Sequence, residues 1–437
     1  MGLIVVRRAL GRALCRGGMG LRIGFSRVDI TPKIGVELCG YGYYLQRQSG
    51  AILDPLYVRA VALRDNLRTL LVVNCDLIGL TSTMIDNIKG VWQEKYGLQA
   101  EDALLLSIHT HSGPATGVLR GCGEPDADYV DYLTQRIIDA GGEALGHLVE
   151  VTGVSSFNGS VDDIAWNRVF DGAGPVDRGV YGLVFHREGL VPLVLVNYAC
   201  HPVTLGRNDA ISADYPGRVV KSMGEAGYEA VFLNGFCGDI DPELNRKSWG
   251  SGIEATIDDY GNRIAAASLK AMESAQSFID LTLDAFQLAV RLPLQPLNEA
   301  RIREERQAAA EAKEAQPAYA RAIEEWVEAM ERQAPSGTET AIVQVLRVGQ
   351  ALLIGFPGET FTQLGLTIKE ALPGWRVVTL GNANAVMRYI PVAADIREKG
   401  YAGYGSCRIY DRLPLQAGAG EYLSKVTIAA IQERFGS

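Results

Sequence analysis

Long hydrophobic runs are missing from this chain of 437 residues. No stretch approaches the roughly 18 consecutive apolar residues that a membrane-spanning helix needs, so a soluble protein without a transmembrane segment is expected. Positive charge is also in deficit: 42 Lys and Arg against 51 Asp and Glu give a formal net charge of −9. That balance argues against broad phosphate-backbone binding, and nucleic acid is not an expected partner. Cysteine is sparse, odd in number and scattered, at Cys15, Cys39, Cys75, Cys122, Cys200, Cys237 and Cys407. Neither a disulfide framework nor a paired CxxC zinc site fits that spacing, and a reducing, cytoplasmic setting is expected. Internal repeats and low-complexity linkers are absent. What is present is a 47% hydrophobic composition, enough to bury one large core or two modest ones.

The first 22 residues carry five arginines and no acid, with apolar residues between them. This fits a targeting sequence, a surface amphipathic helix or translation from an upstream start codon. The expectation is an extension over 1–22 that is disordered or not part of the true start, followed by one catalytic domain over 23–437.

Beyond it, strand and helix patterns alternate. Ala60–Leu63, Leu70–Val73 and Ala103–Ser107 read as strands and Met84–Tyr96 as a helix; Leu193–Val196, a helix near Gly217–Gly227 and Ala230–Leu233 form a second set. The fold class expected is α/β, a mixed β-sheet core flanked by helices. From about 297 to 333 alanine, glutamate, arginine and lysine dominate, and Pro317 divides a helical excursion into two. Those helices read either as a solvated face or as a dimer arm, which leaves a homo-oligomer open. Strand patterns resume at Ala341–Val348 and Ala351–Phe356, a return to the α/β core.

Chemistry concentrates at strand ends. Ser107-Ile108-His109-Thr110-His111-Ser112-Gly113-Pro114 places two of the chain's five histidines two residues apart where an apolar strand meets a Gly-Pro turn. On a strand such a pair shares one face and can reach one metal ion or one substrate; it also occurs as ordinary hydrogen-bonded histidines. His201 again follows an apolar strand and precedes a proline, in a loop at a sheet edge of the kind that carries α/β active sites. Glu359, after a strand and a Pro-Gly turn, reads either as a carboxylate completing a zinc shell or as a helix N-terminal acid. Gly235 to Pro242 ends a strand in a turn bearing Asp239 and Asp241, which presents groups to a substrate or is only a turn.

Together these segments resemble the catalytic domain of the neutral, non-lysosomal ceramidase family. The likeness starts at Gly24-Phe25-Ser26-Arg27-Val28-Asp29-Ile30-Thr31-Pro32, runs through Gly40-Tyr41-Gly42 and Tyr57-Val58-Arg59-Ala60, sharpens at His109-Thr110-His111-Ser112-Gly113-Pro114 and continues to about Ser406. The resemblance implies zinc held by His109, His201, Glu359 and Tyr389, with Tyr401, twelve residues further on, binding the scissile amide. It also implies substrate contact by Arg168 and a proton-transfer or neighbouring role for His111. The chain departs from the family where a GDVSP-like turn carries the nucleophilic serine: here Gly238-Asp239-Ile240-Asp241-Pro242 puts Asp241 in its place. The family's YITT and EEY pattern is reduced to Tyr389-Ile390-Pro391-Val392, and the chain ends without room for the family's C-terminal immunoglobulin-like domain.

The implied activity is zinc-dependent hydrolysis of an amide in an N-acyl substrate, lipid-like as in ceramide or smaller and soluble. Metal-activated water is the expected attacker, with Asp241 or His111 taking the proton and Tyr401 or Arg168 stabilising the oxyanion. Two alternatives stand beside it. One is a glycoside or other small-molecule hydrolase using Asp239 and Asp241; the other is a homologue that binds a lipid or sugar derivative without cleaving it.

Overall fold

The computed structural model describes residues 20–247 and 250–436. The basic segment singled out at the N-terminus therefore lies almost wholly outside the described residues, but Leu21 is already buried and the first strand begins at Arg22.

Two β-sheets face each other, and each carries its helices on the outer side. The larger sheet runs in the order Glu229–Asn234, Leu193–Tyr198, Gly179–Arg187, Val149–Ser160, Arg22–Asp29, Tyr57–Arg64, Thr69–Cys75, Ala103–Ser107, with Gln276–Ser277 pairing beside Val149–Ser160. Its two outermost pairs are parallel and the pairs between them antiparallel. The return of strand pattern after the helical excursion builds a second sheet, ordered Leu283–Pro293, Thr338–Val348, Ala351–Gly355, Arg376–Leu380, whose last pair is parallel.

The two-residue side-chain period of a strand assigns these layers. Along Thr69–Cys75, Leu71, Val73 and Cys75 join one apolar cluster while Leu70 and Val72 join another. The first cluster lies under helices Ser82–Tyr96, Ala127–Gly146, Asp214–Glu225 and Glu254–Met272, represented by Trp92, Leu133, Val219 and Ile264. The second also contains Leu346, Leu353, Val378 and Leu380, so it fills the space between the sheets. On the far side, Val343, Val345, Leu352 and Ile354 pack with helices Thr362–Ala371 and Ala419–Phe435 through Leu364, Ile368 and Leu423. Strands that read as unbroken Val/Leu runs do so because both of their faces are covered.

The alanine- and glutamate-rich excursion forms helices Glu299–Ala312 and Pro317–Gln333, divided at Pro317 as its sequence requires. Ile323, Trp326, Val327 and Met330 enter the chain's own outer core, so this hairpin spends its apolar stripe internally rather than presenting it as a dimer arm. All six described cysteines are buried and free. Among the described residues no helix is long and apolar enough to cross a membrane.

Candidate active site and metal centre

Every candidate cluster residue stands just past the carboxyl end of a strand, where parallel pairs leave a crevice. Ala103–Ser107 delivers His109 and His111, Leu193–Tyr198 delivers His201, and its parallel neighbour Glu229–Asn234 leads to Asp239 and Asp241. Ala351–Gly355 in the second sheet leads to Glu359, and the short parallel pair Glu359–Thr360 with Tyr389–Ile390 sets Glu359 directly opposite Tyr389. The site thus lies where the two sheets meet, with imidazoles from one and the carboxylate from the other.

The histidine pair converges by a different route from strand alternation. The strand ends at Ser107, and His109 adopts a left-handed backbone, φ +73°, which costs roughly 1–3 kcal/mol and is held by its surroundings. His109 N–H donates to Leu77 O at 2.9 Å, and Asn234 Nδ2 donates to Ile108 O at 2.8 Å. Thr110 and Ser112 are tied to the Ser212 segment, Thr110 Oγ1 donating to Ser212 O at 2.8 Å and Ser212 N to Ser112 O at 2.9 Å. Ring centroids of His109 and His111 are 5.1 Å apart, those of His109 and His201 5.2 Å, and those of His111 and His201 6.1 Å. The ligand-capable nitrogens of these three lie within 4.8 Å of one another, a spacing that can hold a metal ion.

Hydrogen bonds behind the rings decide which nitrogens face inward. His109 Nδ1 donates to Ile78 O at 2.7 Å and His201 Nδ1 to Cys237 O at 2.7 Å; a carbonyl only accepts, so each Nδ1 carries the proton. That leaves Nε2 of each ring facing inward, the orientation that carbonyl partners impose on metal-ligating histidines. Those Nε2 atoms approach Glu359 Oε2, at 2.8 Å from His201 and 3.4 Å from His109. Burial, followed by the positive Arg168, lowers the His201 pKa. Burial would raise the Glu359 carboxyl, yet His109 and His201 hold it well below the ordinary carboxylate range. A carboxylate and two imidazole nitrogens therefore converge on one point, an arrangement that a shared proton or a bound cation satisfies. His111 is neutral for a related reason: burial, with His109 and His201 adding to it, holds its pKa well below the usual value, and neither of its buried ring nitrogens has a hydrogen-bond partner.

Arg168 organises the other side. It follows the short strand Ala165–Asn167, which pairs antiparallel with Ile240–Pro242 and so brings the arginine beside Asp241. Its Nη1 donates to Asp241 Oδ1 at 3.0 Å, and its Nη2 to Tyr389 OH at 2.8 Å and Gly238 O at 2.9 Å. Asp241 is fully buried. Tyr401 meets Tyr389 edge to face at 5.8 Å and is 55% exposed, the placement of a residue at the rim. Asp239 turns to structural partners instead: Asn167 Nδ2 donates to Oδ2 and Thr362 N to Oδ1, each at 2.7 Å, and burial pushes its pKa up to about 6. With both oxygens so engaged, the substrate contact expected of Asp239 from its sequence is not what its surroundings provide.

Two residues that motif reading passes over also belong here. Tyr410 donates its hydroxyl proton to Glu359 Oε1. Arg47 donates to the carbonyls of His111 and Cys39, at 2.7 and 2.6 Å, and its guanidinium lies over the Tyr41 ring, whose edge meets His111 at 5.2 Å. The Gly40-Tyr41-Gly42 string was the one local signal for that wall. Gly40 sits at φ +98°, and a Cβ there would lie 2.5 Å from His111 Nδ1.

Fold and site together define an α/β protein with two facing sheets and a buried centre able to hold a metal ion. Solved neutral ceramidases share this fold. The neutral ceramidase from Pseudomonas aeruginosa superposes with a TM-score of 0.75 at 20% identity, over 96% of this chain and 76% of that one. A ceramidase complexed with C2 gives 0.73 at 18% identity, over 95% and 76%. No protein-family model and no curated protein matches the sequence.

Proposed function

We propose that this protein is a zinc-dependent hydrolase that cleaves the amide of an N-acyl substrate. The observation that carries the reading is the convergence of His109, His201 and Glu359, with both Nε2 atoms within 3.4 Å of one carboxylate oxygen. Two imidazoles and a carboxylate gathered at one point suit a bound cation, and a mixed set of this kind suits zinc. A zinc ion held by these three, with Tyr389 beside them, supplies Lewis acidity that polarises a carbonyl and makes water reactive near neutral pH. The likeness to ceramidase structures supports an amide as the bond attacked.

The chain's own residues divide the remaining work. Arg168 and Tyr401 face the developing oxyanion, the first fixed by three hydrogen bonds and the second free to follow the substrate at the rim. His111, neutral and without a hydrogen-bond partner, accepts the proton of the attacking water and returns it to the leaving amine. Asp241 keeps Arg168 charged and oriented. Since position 241 offers no hydroxyl, the reaction proceeds without an acyl-enzyme at this residue. The glycosidase reading is weaker, because both oxygens of Asp239 are engaged by Asn167 and Thr362 and so are not turned with Asp241 toward a sugar.

The deciding experiment is amine release by zinc-loaded protein from ceramide in detergent, short-chain N-acyl amines and N-acetyl sugars, with His109→Ala as the blank. Turnover of ceramide supports a sphingolipid substrate, and turnover of only the small amides moves the substrate to that class. No turnover above the blank from any of them sinks the hydrolase reading.

A further inference from the structure

The resemblance to ceramidases directs attention to Tyr389 as the tyrosine of the metal centre, and a second tyrosine joins it at the Glu359 carboxylate. Tyr389 OH accepts a hydrogen bond from Arg168 and is itself hydrogen-bonded to Glu359, and Tyr410 donates to Glu359 Oε1, while Oε2 is the oxygen that faces His201 and His109. A carboxylate rotates readily about its last bond and can present one oxygen or both to a cation. Here Oε1 is engaged by a hydroxyl from outside the cluster, and Oε2 is the oxygen that faces the imidazoles.

The segment that delivers Tyr410 is braced by the helical hairpin, which the proposed reaction otherwise leaves without a role. Trp326 Nε1 donates to Arg412 O at 2.9 Å, and Arg408 Nη2 pairs with the buried Glu305 at 2.6 Å. Arg412 also meets Glu339 at 3.0 Å, and Arg120 N donates to Ile409 O at 2.9 Å. Tyr410 itself is 6% exposed and its ring stands edge-on to Tyr389 at 6.1 Å. Four contacts on residues 408–412 thus fix a hydroxyl that reaches Glu359 from 51 positions away.

We propose that Tyr410 is the positioning residue of the metal centre: its hydroxyl holds Glu359 in a one-oxygen ligating pose, and the hairpin Glu299–Gln333 braces the backbone that carries it. This inference rests on the metal reading above. Hydrogen-bond partners of this kind behind a metal ligand typically govern affinity by about 10- to 100-fold.

The test is Tyr410→Phe, with zinc affinity measured by competition against a chromogenic chelator and the visible absorption of the Co2+-loaded protein recorded alongside. Zinc affinity is expected to fall about 10- to 100-fold. Co2+ absorption is expected to weaken as Glu359 swings to two-oxygen ligation and raises the coordination number. p-Aminophenylalanine at position 410, which keeps a donor, should restore both, while p-fluorophenylalanine, which fills the same volume without donating, should not. That last pair answers the question even if the phenylalanine variant fails to fold. Wild-type affinity and an unchanged Co2+ spectrum in the non-donating variants overturn the role of Tyr410 alone. Failure of the wild-type protein to bind either ion removes the metal reading and this inference with it.

Discussion

Asp241 and Arg168 form an ion pair, Oδ1 to Nη1 at 3.0 Å, in which the carboxylate is wholly buried. Where the ceramidase resemblance calls for a nucleophilic serine, this chain therefore holds the counter-charge of Arg168, the arginine proposed to face the substrate. Removing it strands a largely buried guanidinium. Asp241→Ala should destabilise the protein by about 3 kcal/mol, the lower end of the cost of breaking a buried pair, because Arg168 keeps some exposure. It should also lower kcat by about 10²-fold through loss of oxyanion support. Urea unfolding and steady-state kinetics on the same preparation check both, and full activity in this variant removes Asp241 from the mechanism.

The three histidines should separate by function. His109→Ala and His201→Ala are expected to lose bound metal, whereas His111→Ala should retain it and lose about 10²- to 10⁴-fold in rate, the usual cost of a proton-transfer group. Metal content after gel filtration is the discriminating measurement. Loss of metal from His111→Ala would make His111 a ligand, as the mutual distances of the three rings also permit.

Metal binding should be visible as stability. Zinc that binds only the folded cluster adds about 2.7 kcal/mol at about a hundredfold excess over its dissociation constant. Thermal unfolding of chelator-treated protein with and without added zinc measures this, and a melting temperature indifferent to zinc counts against the site.

Stability of the metal-free protein should respond to pH in two opposed ways. Folded His111 and His201 have lowered pKa values while the unfolded residues titrate near about 6.5, so the unfolded chain binds more protons below that value. Their contribution is complete above about pH 6.5 and is lost as the pH falls. Asp214 and Asp239, both pushed up to about 6 by burial, act in reverse: their contribution is greatest at low pH and declines as the pH rises from about 4 to about 6. His111→Asn should flatten the acid-side loss and Asp214→Asn should steepen it. Urea midpoints from about pH 5 to about pH 8 test the signs, and wild-type slopes in both variants would show that these groups are not the ones titrating.

Gly40→Ala should damage the site from a distance in sequence. The new methyl would meet His111 Nδ1 at 2.5 Å from a backbone at φ +98°, where side chains are strained. Strain and clash together should cost more than about 1 kcal/mol and displace His111. Wild-type kcat in this variant would show that His111 does not need its present position.

Much of this architecture is written locally. Ala103–Ser107 reads as a strand and is one with the same limits, and Pro317 starts the second helix of the excursion as its fixed φ requires. Apolar runs such as Leu193–Val196 announce buried strands because both faces of the parallel pairs are covered. The same runs do not say which sheet a strand joins. Thr338–Val348 and Ala351–Gly355 look like more of the first sheet, and only their pairing with Leu283–Pro293 and Arg376–Leu380 makes them a second.

The sequence by itself determined most of the inventory of the site, Tyr410 and Arg47 excepted. Its HTHSGP string, the histidine after Tyr198, the carboxylate of the Pro-Gly turn and the aspartate at 241 were all legible, since each is a local pattern at a strand end. Tertiary structure alone decided how they are used. The left-handed turn at His109, rather than strand alternation, brings His109 and His111 together; Asp239 is spent on Asn167 and Thr362; and Tyr410 holds Glu359 from another part of the chain. Side-chain roles of this kind depend on contacts between residues far apart in sequence, and such contacts exist only once burial has brought the two sheets face to face and removed water as the competing partner.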